Sequence, residues 1–292
     1  MHEMHNTKPG KIFDVFNVVL LIAFGVIMII PFIYVIAGSF ATETEIATRN
    51  FFLWPKEFTL ASYKYIFSTN TFIRSLLISV GVTLFGTIIQ LFFSFTFAYP
   101  LARKTLRGRN FFLNMVVFAM LFSGGMIPTY LVVKSLNLID NYAALILPLA
   151  ISPFNLIIIK NFFQEIPMEL NESAKMDGAS EVDILWRIYL PLSKPMIATM
   201  SLFYAVGLWN DFMNPLLYIN TPDKWPIQLL LRQITMSASI GSTLGDYDPS
   251  VMPPEQGIKF AVIIVATLPI LILYPFLQKH FAKGMMVGSV KG

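Results

Sequence analysis

The sequence predicts an all-α membrane protein with six transmembrane helices, organised as one transmembrane domain over residues 1–292. The chain is 55% hydrophobic and only 13% charged, whereas a soluble domain carries roughly 25% charged residues. Six long stretches of the sequence contain almost no charged side chain. A soluble protein with the same helices buried is disfavoured, because too little polar sequence remains to cover such a core.

Each of the six apolar stretches has at least the ~17 residues that a helix needs to cross the hydrocarbon core of a bilayer. Because a helix satisfies its own backbone hydrogen bonds in lipid, these stretches are expected to be helical. Apart from residues at their ends, Asp211 is the only charged residue inside them. The predicted spans cover about 14–38, 75–101, 110–133, 141–160, 195–219 and 259–279.

The orientation of the spans is predicted from the Lys and Arg residues in the connections between them. An even number of spans places both termini on one side, and the connections on that side hold 13 of the 21 basic residues. The short Arg103–Arg109 loop is the most decisive, because short basic loops resist translocation. Both termini are therefore predicted to be cytoplasmic. The same topology makes 164–194 a cytoplasmic loop and 220–256 a proline-rich outer loop.

Several kinds of chemistry are excluded by what the sequence lacks. The chain has no Cys, and its three histidines lie near the termini, so neither a thiolate site nor a buried histidine cluster is predicted. No G-x-x-x-x-G-K-[ST] phosphate loop and no G-x-S-x-G elbow occurs. We therefore predict no catalytic residue, no metal site and no cofactor bound by this chain. The net charge of +4 reflects membrane orientation rather than nucleic-acid binding.

Asp211 lies in the sequence Gly-Leu-Trp-Asn-Asp-Phe-Met-Asn-Pro of the fifth span, and two interpretations of it remain open. Charges inside spans are costly and usually functional. However, counted from the start of the span, Asp211 lies roughly 24 Å along the helix, close to the outer interface, where it would only anchor the structure. Pro215 can break the helix and free backbone groups. The second interpretation is a polar substrate path lined by Trp209, Asn210, Asp211 and Asn214.

The connection between spans four and five is predicted to form two short helices joined at a sharp bend. Pro167 suits the first position of a helix, and Gly178 suits the left-handed residue that ends one. Ser180 followed by Asp183 predicts a capping box that opens the second helix. This helix is expected to present one apolar face and to stop at two prolines. The face comprises Val182, Leu185, Trp186 and Tyr189, and the prolines are Pro191 and Pro195.

The first of these two helices has the properties of a contact surface. Ser173 and Ala174 are small enough for a partner surface to approach closely. Glu172 and Asp177 offer charged contacts at the edge. On spacing alone, a solvated connector with an interfacial helix remains an equal alternative.

The spacing of this segment resembles the signature loop of ABC importer permeases. The family pattern is E-A-A, three residues, G, nine residues and I-x-L-P, and every spacing is intact here. Ser173 stands where the family has a second alanine, a small-for-small change that leaves helix packing plausible. The resemblance implies a type I ABC importer permease fold in which this loop couples to an ATPase. The coupling residues that it implies are Glu172, Ser173, Ala174, Asp177, Gly178, Ile188, Leu190 and Pro191.

The whole chain is similar to the six-span, maltose-type sugar permeases, within the subgroup associated with complex oligosaccharides. The stretch Trp209–Leu216 and the Gly-rich tail Lys283–Gly292 support this resemblance. It implies a multi-pass permease subunit in a bacterial cytoplasmic (inner) membrane that translocates a sugar. The implied partners are a second permease of different sequence, two ATP-binding subunits, an extracytoplasmic solute-binding protein and membrane lipid. ATP and Mg²⁺ then belong to the ATPase, so this chain is not expected to be an enzyme.

Three alternatives stay open at this stage. The first is a solute of another polar class, for example an amino acid or a glycerol phosphate in place of an oligosaccharide. An ion-coupled secondary carrier is disfavoured, because such carriers show ionisable or discontinuous sites near the midplane, often in paired halves. A membrane assembly factor without transport activity would show no solute flux with any partner.

Overall fold

The computed structural model describes residues 8–237 and 255–285, and the surroundings of side chains over 13–42, 44–237 and 255–272. Within these residues the regular structure is helical throughout, which confirms the all-α class. Short irregular turns connect the helices. The helices are α1 Lys8–Ser39, α2 Glu43–Thr48, α3 Ala61–Ser68, α4 Asn70–Ala102, α5 Arg109–Leu121, α6 Met126–Ser135, α7 Ala143–Ile146, α8 Pro153–Glu165, α9 Glu169–Met176, α10 Glu181–Ile184, α11 Leu190–Leu192, α12 Lys194–Asn210, α13 Met213–Tyr218, α14 Ile227–Met236 and α15 Glu255–Met285.

Three helical segments in the described part of the chain are long and apolar enough to cross a membrane, namely Phe13–Ser39, Asn70–Ala102 and Glu255–Ile272. Two bent helix pairs pass the same test only when each pair is taken together, which raises the count to five. The predicted fifth span is absent from this set because α12 ends after 17 residues. Several helices long and apolar enough to cross a membrane are thus confirmed, while the count of six and the cytoplasmic termini stay predictions.

The predicted third span, 110–133, is not one straight helix. It is formed by α5 and α6, whose axes differ by 117° across a short break. Gly125 begins the turn into α6 with φ +85°, a left-handed conformation that glycine adopts without steric cost. The absence of charge predicted a continuous helix here, but the adjacent glycines at 124 and 125 interrupt it.

The predicted fourth span, 141–160, is also broken. It starts with α7, continues as a 3₁₀ turn over Leu147–Leu149 and resumes as α8 after a bend of 52°. Pro148 and Pro153 explain the interruption, since proline has no N–H to continue a helix but suits a first turn. The Ser152 hydroxyl caps α8 by accepting a hydrogen bond from the Asn155 N–H at 3.4 Å.

The described chain divides into two compact units. The first comprises the described residues up to Ile73 together with those within 234–267, and the second comprises Arg74–Gln233 with the described residues from Leu268 onward. The single-domain organisation stays a prediction. In the first unit, the most apolar part of α1 buries nothing within the chain, as expected for a helix that faces lipid or a partner. Its small core instead gathers Ala37, Ala41 and Phe52.

The main core of the second unit packs α4, α8 and the residues after α10 around a cluster of aromatic rings. Phe163 of α8 makes edge-to-face contacts with Tyr99 of α4, at 6.3 Å between ring centroids, and with Tyr189, at 5.3 Å. Tyr99 and Tyr189 also meet at 5.0 Å. Such pairs add roughly 0.5–1.5 kcal/mol each beyond area burial. The cluster therefore holds the segment after α10 against α4.

Candidate functional site

The predicted bend between spans four and five is present in the structure. Gly178 follows α9 with φ +82°, as the left-handed end of a helix requires. Ser180 and Asp183 form the predicted capping box: the Asp183 N–H donates to the Ser180 hydroxyl at 3.1 Å, and the Ser180 N–H donates to Asp183 Oδ2 at 3.3 Å. The first helix begins at Glu169, two residues after Pro167. The bend and the capping box predicted from the sequence are thus confirmed, whereas the placement of Pro167 at the first position of the helix is wrong, because Met168 is the N-cap and the helix begins after it.

The prediction that Pro191 stops the second helix is wrong. After α10 the backbone widens into a π-helical turn over Leu185–Tyr189 and continues as α11 to Leu192. A proline lacks its N–H and meets the carbonyl four residues earlier, and the wider π-helical turn accommodates both effects. Pro195 instead occupies the first turn of α12.

The apolar face predicted for the second helix is only half correct. Leu185 and Tyr189 are buried, but Val182 and Trp186 are 66% and 52% exposed. Ile184, which the prediction left out, is fully buried. The buried residues and the exposed pair both repeat at helical spacing, so periodicity alone could not choose between the two stripes. The consequence is an apolar pair on the open surface of this segment.

The residues predicted to couple to an ATPase fall into two groups. Glu172, Ser173, Asp177, Gly178 and Pro191 are exposed. Ala174, Ile188 and Leu190 are partly buried against the aromatic core. The first group forms an open surface and the second holds that surface in place. Met176, which the sequence analysis did not single out, is 90% exposed on the same surface.

A carboxylate that the sequence analysis missed ties this segment to α4. Glu181 Oε2 accepts hydrogen bonds from the Tyr99 hydroxyl at 2.7 Å and from Arg103 Nη2 at 2.8 Å. Glu181 Oε1 pairs with Lys175 Nζ at 2.7 Å. Arg103 also lies over the Tyr99 ring, 4.6 Å from its centroid. We call these four residues the Glu181 network, and it connects α9 and α10 to the end of α4.

The Glu181 carboxylate keeps its charge at neutral pH. Burial by itself would raise the pKa of Glu181, but hydrogen bonds from Lys175 and Tyr99 and the charge of Arg103 outweigh it and lower that pKa. Glu181 is therefore ionised well below pH 7. No sequence signal pointed to this network, because Tyr99 and Glu181 are 82 residues apart.

Asp211 marks a break in the predicted fifth span. Helix α12 ends at Asn210 and α13 begins at Met213. Pro215 explains the position of the break, because its ring excludes the helical carbonyl four residues earlier, that of Asp211. Asp211 Oδ1 accepts the N–H groups of Met213 at 3.0 Å and Asn214 at 3.1 Å. Asp211 thus caps the second piece of the broken helix, which supports the structural interpretation of this residue.

The same break opens onto a cavity of about 570 Å³ whose walls are partly polar and partly apolar. Three of the four predicted path residues, Asn210, Asp211 and Asn214, line it together. Trp209 does not: it is 5% exposed and lines a different, apolar groove. The structure therefore brings together the polar members of the predicted path and leaves the tryptophan in the packing.

Two amides that the sequence analysis missed, Gln90 of α4 and Asn155 of α8, complete the cavity wall. Gln90 is 4% exposed, and its Nε2 donates to the Leu149 carbonyl at 3.0 Å. Its Oε1 finds no hydrogen-bond donor among the described residues. A buried carbonyl without a partner costs about 1–3 kcal/mol, so Gln90 is held at this position at an energetic cost.

On the side predicted to be outside, Asp140 fixes the start of the 220–256 loop. Its carboxylate accepts the N–H groups of Asn220 at 3.1 Å and Thr221 at 3.0 Å, and Lys224 Nζ at 2.7 Å. The hydrogen bond from Lys224, followed by those from Thr221, lowers the pKa of Asp140 far below its ordinary value. The lowered pKa means that these contacts favour the ionised aspartate.

The pH dependence of thermal stability should reveal these contacts of Asp140, which we call the Asp140 clamp. Because the folded pKa is depressed, its stabilisation is complete above the unfolded pKa of about 3.9 and is lost as the pH falls below it. We expect the melting temperature to drop between about pH 5 and pH 3 in the wild type, and to drop less in Asp140→Asn. Asp223→Asn, which removes the exposed partner of Arg74, is the control. Equal pH profiles for the wild type and Asp140→Asn would contradict the clamp.

Comparison with known proteins places the chain in a family. The family model described as "Binding-protein-dependent transport system inner membrane component" matches residues 3–287. Protein LplC of Bacillus subtilis (strain 168) is 65% identical over 292 residues, covering 100% of this chain and 99% of that protein. The polygalacturonan/rhamnogalacturonan transport system permease protein YtcP of the same organism is 55% identical, covering 97% of this chain and 99% of that protein.

The fold is also shared with a solved structure. A crystal structure of a bacterial ABC transporter involved in the import of the acidic polysaccharide alginate contains a chain that is 30% identical, with a TM-score of 0.87. The match covers 94% of this chain and 98% of that one, so this chain shares the fold of that transporter chain. With its family model spanning nearly the whole sequence, the chain belongs to the family of inner membrane components of binding-protein-dependent transport systems.

Proposed function

We propose that this chain is one half of the translocation path of an ATP-driven importer that takes up an oligosaccharide. The bent segment between α8 and α12 is the observation that carries the proposal. It keeps every spacing of the importer signature, and it presents Glu172, Met176 and Asp177 on an open surface. This segment combines a buried aromatic residue, Tyr189, with an internal capping box and an exposed apolar residue, Met176. A connector that only meets solvent would not need all three.

The way in which the exposed surface of α9 is attached to the membrane helices supports coupling to an ATPase. The bend at Gly178 separates the exposed helix α9 from the helix that packs into the core. The Glu181 network then links both helices to the end of α4. A movement imposed on α9 by a partner ATPase therefore reaches a membrane helix through short, charged contacts. ATP and Mg²⁺ belong to that partner, and this chain serves as permease rather than enzyme.

The solute class is supported by the cavity and by the relatives. Amide and carboxylate groups from Gln90, Asn155, Asn210, Asp211 and Asn214 converge on the cavity, as in sites that orient a polar ligand. Such groups suit the many hydroxyls of a sugar. Relatives are named for polygalacturonan/rhamnogalacturonan and, at 28% identity, arabinooligosaccharide transport. An oligosaccharide is therefore preferred over other polar solutes.

The topology that we propose retains six spans with both termini in the cytoplasm of a bacterial cell. Helix α12 measures roughly 26 Å at 1.5 Å per residue, slightly less than the ~30 Å hydrocarbon core. The short helix α13 extends it beyond the break at Asp211, so the two together serve as the fifth span. A second permease of different sequence, two ATP-binding subunits and a solute-binding protein complete the importer.

Transport in proteoliposomes tests this function. We expect proteoliposomes that contain the chain with its co-purified partner subunits to take up labelled oligosaccharide under one condition only. ATP must be inside the vesicles and the binding protein outside them. Collapse of proton and sodium gradients should leave uptake unchanged. Uptake that follows an ion gradient without ATP would support a secondary carrier instead, and no flux of any solute would support an assembly factor.

The two interpretations of Asp211 can be separated by a pair of variants. Asp211→Asn keeps a carbonyl oxygen that can accept the Met213 and Asn214 N–H groups, so the cap survives while the charge is lost. We expect its KM for uptake to rise with an unchanged melting temperature. Asp211→Ala also removes the cap, which contributes about 1 kcal/mol, so its melting temperature should fall as well. An unchanged KM in Asp211→Asn would leave the residue a purely structural role.

A further inference from the structure

An open apolar groove of about 520 Å³ lies between α4, α5 and α8, all within the second unit. All of its lining residues are apolar, among them Phe97, Leu101, Phe112, Met115 and Leu156. Along α5 the lining extends from Phe112 to Ala119, which is about 10 Å at 1.5 Å per residue. That length is most of one leaflet of a ~30 Å hydrocarbon core, so the groove has the dimensions of part of an acyl chain.

Two cations lie at one end of the groove. Arg109 begins α5, and its Nε donates to the carbonyl of the groove residue Leu101 at 2.9 Å. Lys160 follows the groove residue Leu156 by one turn of α8, at the same end. Helices α5 and α8 pack against each other, so both cations lie beside the same groove. Among the residues whose side chains the structure describes, 13–42, 44–237 and 255–272, neither forms an ion pair with a carboxylate.

The loop that precedes α5 adds further positive charge at this end of the groove and no negative charge. The Arg103–Arg109 loop contains four basic residues and no acidic residue. Lys104 and Arg107 are exposed and form no ion pair within the part of the chain that the structure describes. Arg103 alone is engaged, in the Glu181 network. The end of the groove therefore carries positive charge that no carboxylate neutralises. The groove itself is an apolar surface that no other part of the described chain covers.

We propose that this groove binds an anionic phospholipid, with its phosphate between Arg109 and Lys160 and an acyl chain against α4, α5 and α8. The ligand supplies the negative charge that two adjacent cations lack and the apolar surface that the groove lacks. A soluble anion satisfies only the first requirement and a neutral lipid only the second. The inference concerns lipid binding and does not depend on which solute the importer carries.

Thermal unfolding of the purified importer in detergent tests the proposal, with phosphatidylglycerol, phosphatidylcholine or inorganic phosphate added separately. We expect phosphatidylglycerol to raise the melting temperature by several degrees more than phosphatidylcholine, and inorganic phosphate to leave it unchanged. Native mass spectrometry should show phosphatidylglycerol retained on the complex. Equal stabilisation by the two lipids, or stabilisation by phosphate alone, would overturn the proposal.

Variants assign the effect to this groove. The double variant Arg109→Gln/Lys160→Gln should lose the extra stabilisation by phosphatidylglycerol, whereas Lys134→Gln, which removes an exposed charge on α6, should retain it. Ala119→Phe fills the groove without changing any charge, and it should also lose the lipid effect. If the double variant does not fold, the response of Ala119→Phe to phosphatidylglycerol still tests whether the lipid binds in this groove. Retention of the effect in Ala119→Phe, or its equal loss in Lys134→Gln, would show that lipid binds elsewhere.

Discussion

Gly178→Val is expected to reduce ATP-driven uptake roughly tenfold while the protein stays in the membrane, because a left-handed residue with a side chain costs about 1–2 kcal/mol. Gly178 has φ +82°, and a Cβ atom added there would have no neighbouring atom within 4 Å. The penalty is therefore one of backbone conformation and not of crowding. It should act by tilting the exposed helix α9 away from its docking direction.

Gly178→Asn is the matched control for this prediction. Asparagine tolerates the left-handed conformation far better than a β-branched residue does, and its size is similar to that of valine. We expect Gly178→Asn to retain most of the uptake rate and of the substrate-stimulated ATPase rate. Wild-type uptake by Gly178→Val would remove the bend from the coupling mechanism. Similar losses in both variants would indicate that space at this position, not conformation, is limiting.

Glu181→Lys should reduce uptake severalfold with little change in melting temperature. The substitution places a third cation beside Lys175 and Arg103, so the contacts that join α9 and α10 to α4 become repulsive. Exposed ion pairs contribute only about 0.2–1 kcal/mol to stability, and Glu181 is 54% exposed. A loss of transport without a loss of stability would therefore report the mechanical link and not general unfolding.

Two further variants sharpen the test of the Glu181 network. Glu165→Lys makes the same charge change at an exposed position at the end of α8, and it should transport at close to the wild-type rate. Arg103→Glu combined with Glu181→Lys restores an opposite-charge pair and should recover part of the uptake. If Glu181→Lys transports normally, or if the double variant is no better than the single one, the network has no role in coupling.

Local features of the site could be predicted from the sequence because they depend on residues close together in the chain. The bend at Gly178 and the Ser180–Asp183 capping box follow from backbone conformation and hydrogen bonding within four residues. The break near Asp211 follows from Pro215, whose effect extends only to the carbonyl four residues earlier. In each case the structure contains the feature at the expected position or next to it.

The errors in the spans and in the apolar face share one cause, which is that apolarity alone does not specify helix geometry. The breaks in the predicted third and fourth spans arise from Gly124, Gly125, Pro148 and Pro153, whereas span prediction counted only charge and length. In the second helix of the coupling segment, two apolar stripes have the same spacing. Packing against α4 and α8 buries Ile184 and leaves Val182 exposed.

The sequence by itself determined the membrane class, the family signature between α8 and α12 and the bend within it. These are properties of composition and of short spacings, which folding does not alter. Only the tertiary structure decided that Glu181 meets Tyr99 and Arg103, and that Gln90 joins Asp211 around one cavity. Those contacts join residues from separate helices, and helices with few charged side chains carry little information in their sequence about which neighbour each polar group will meet.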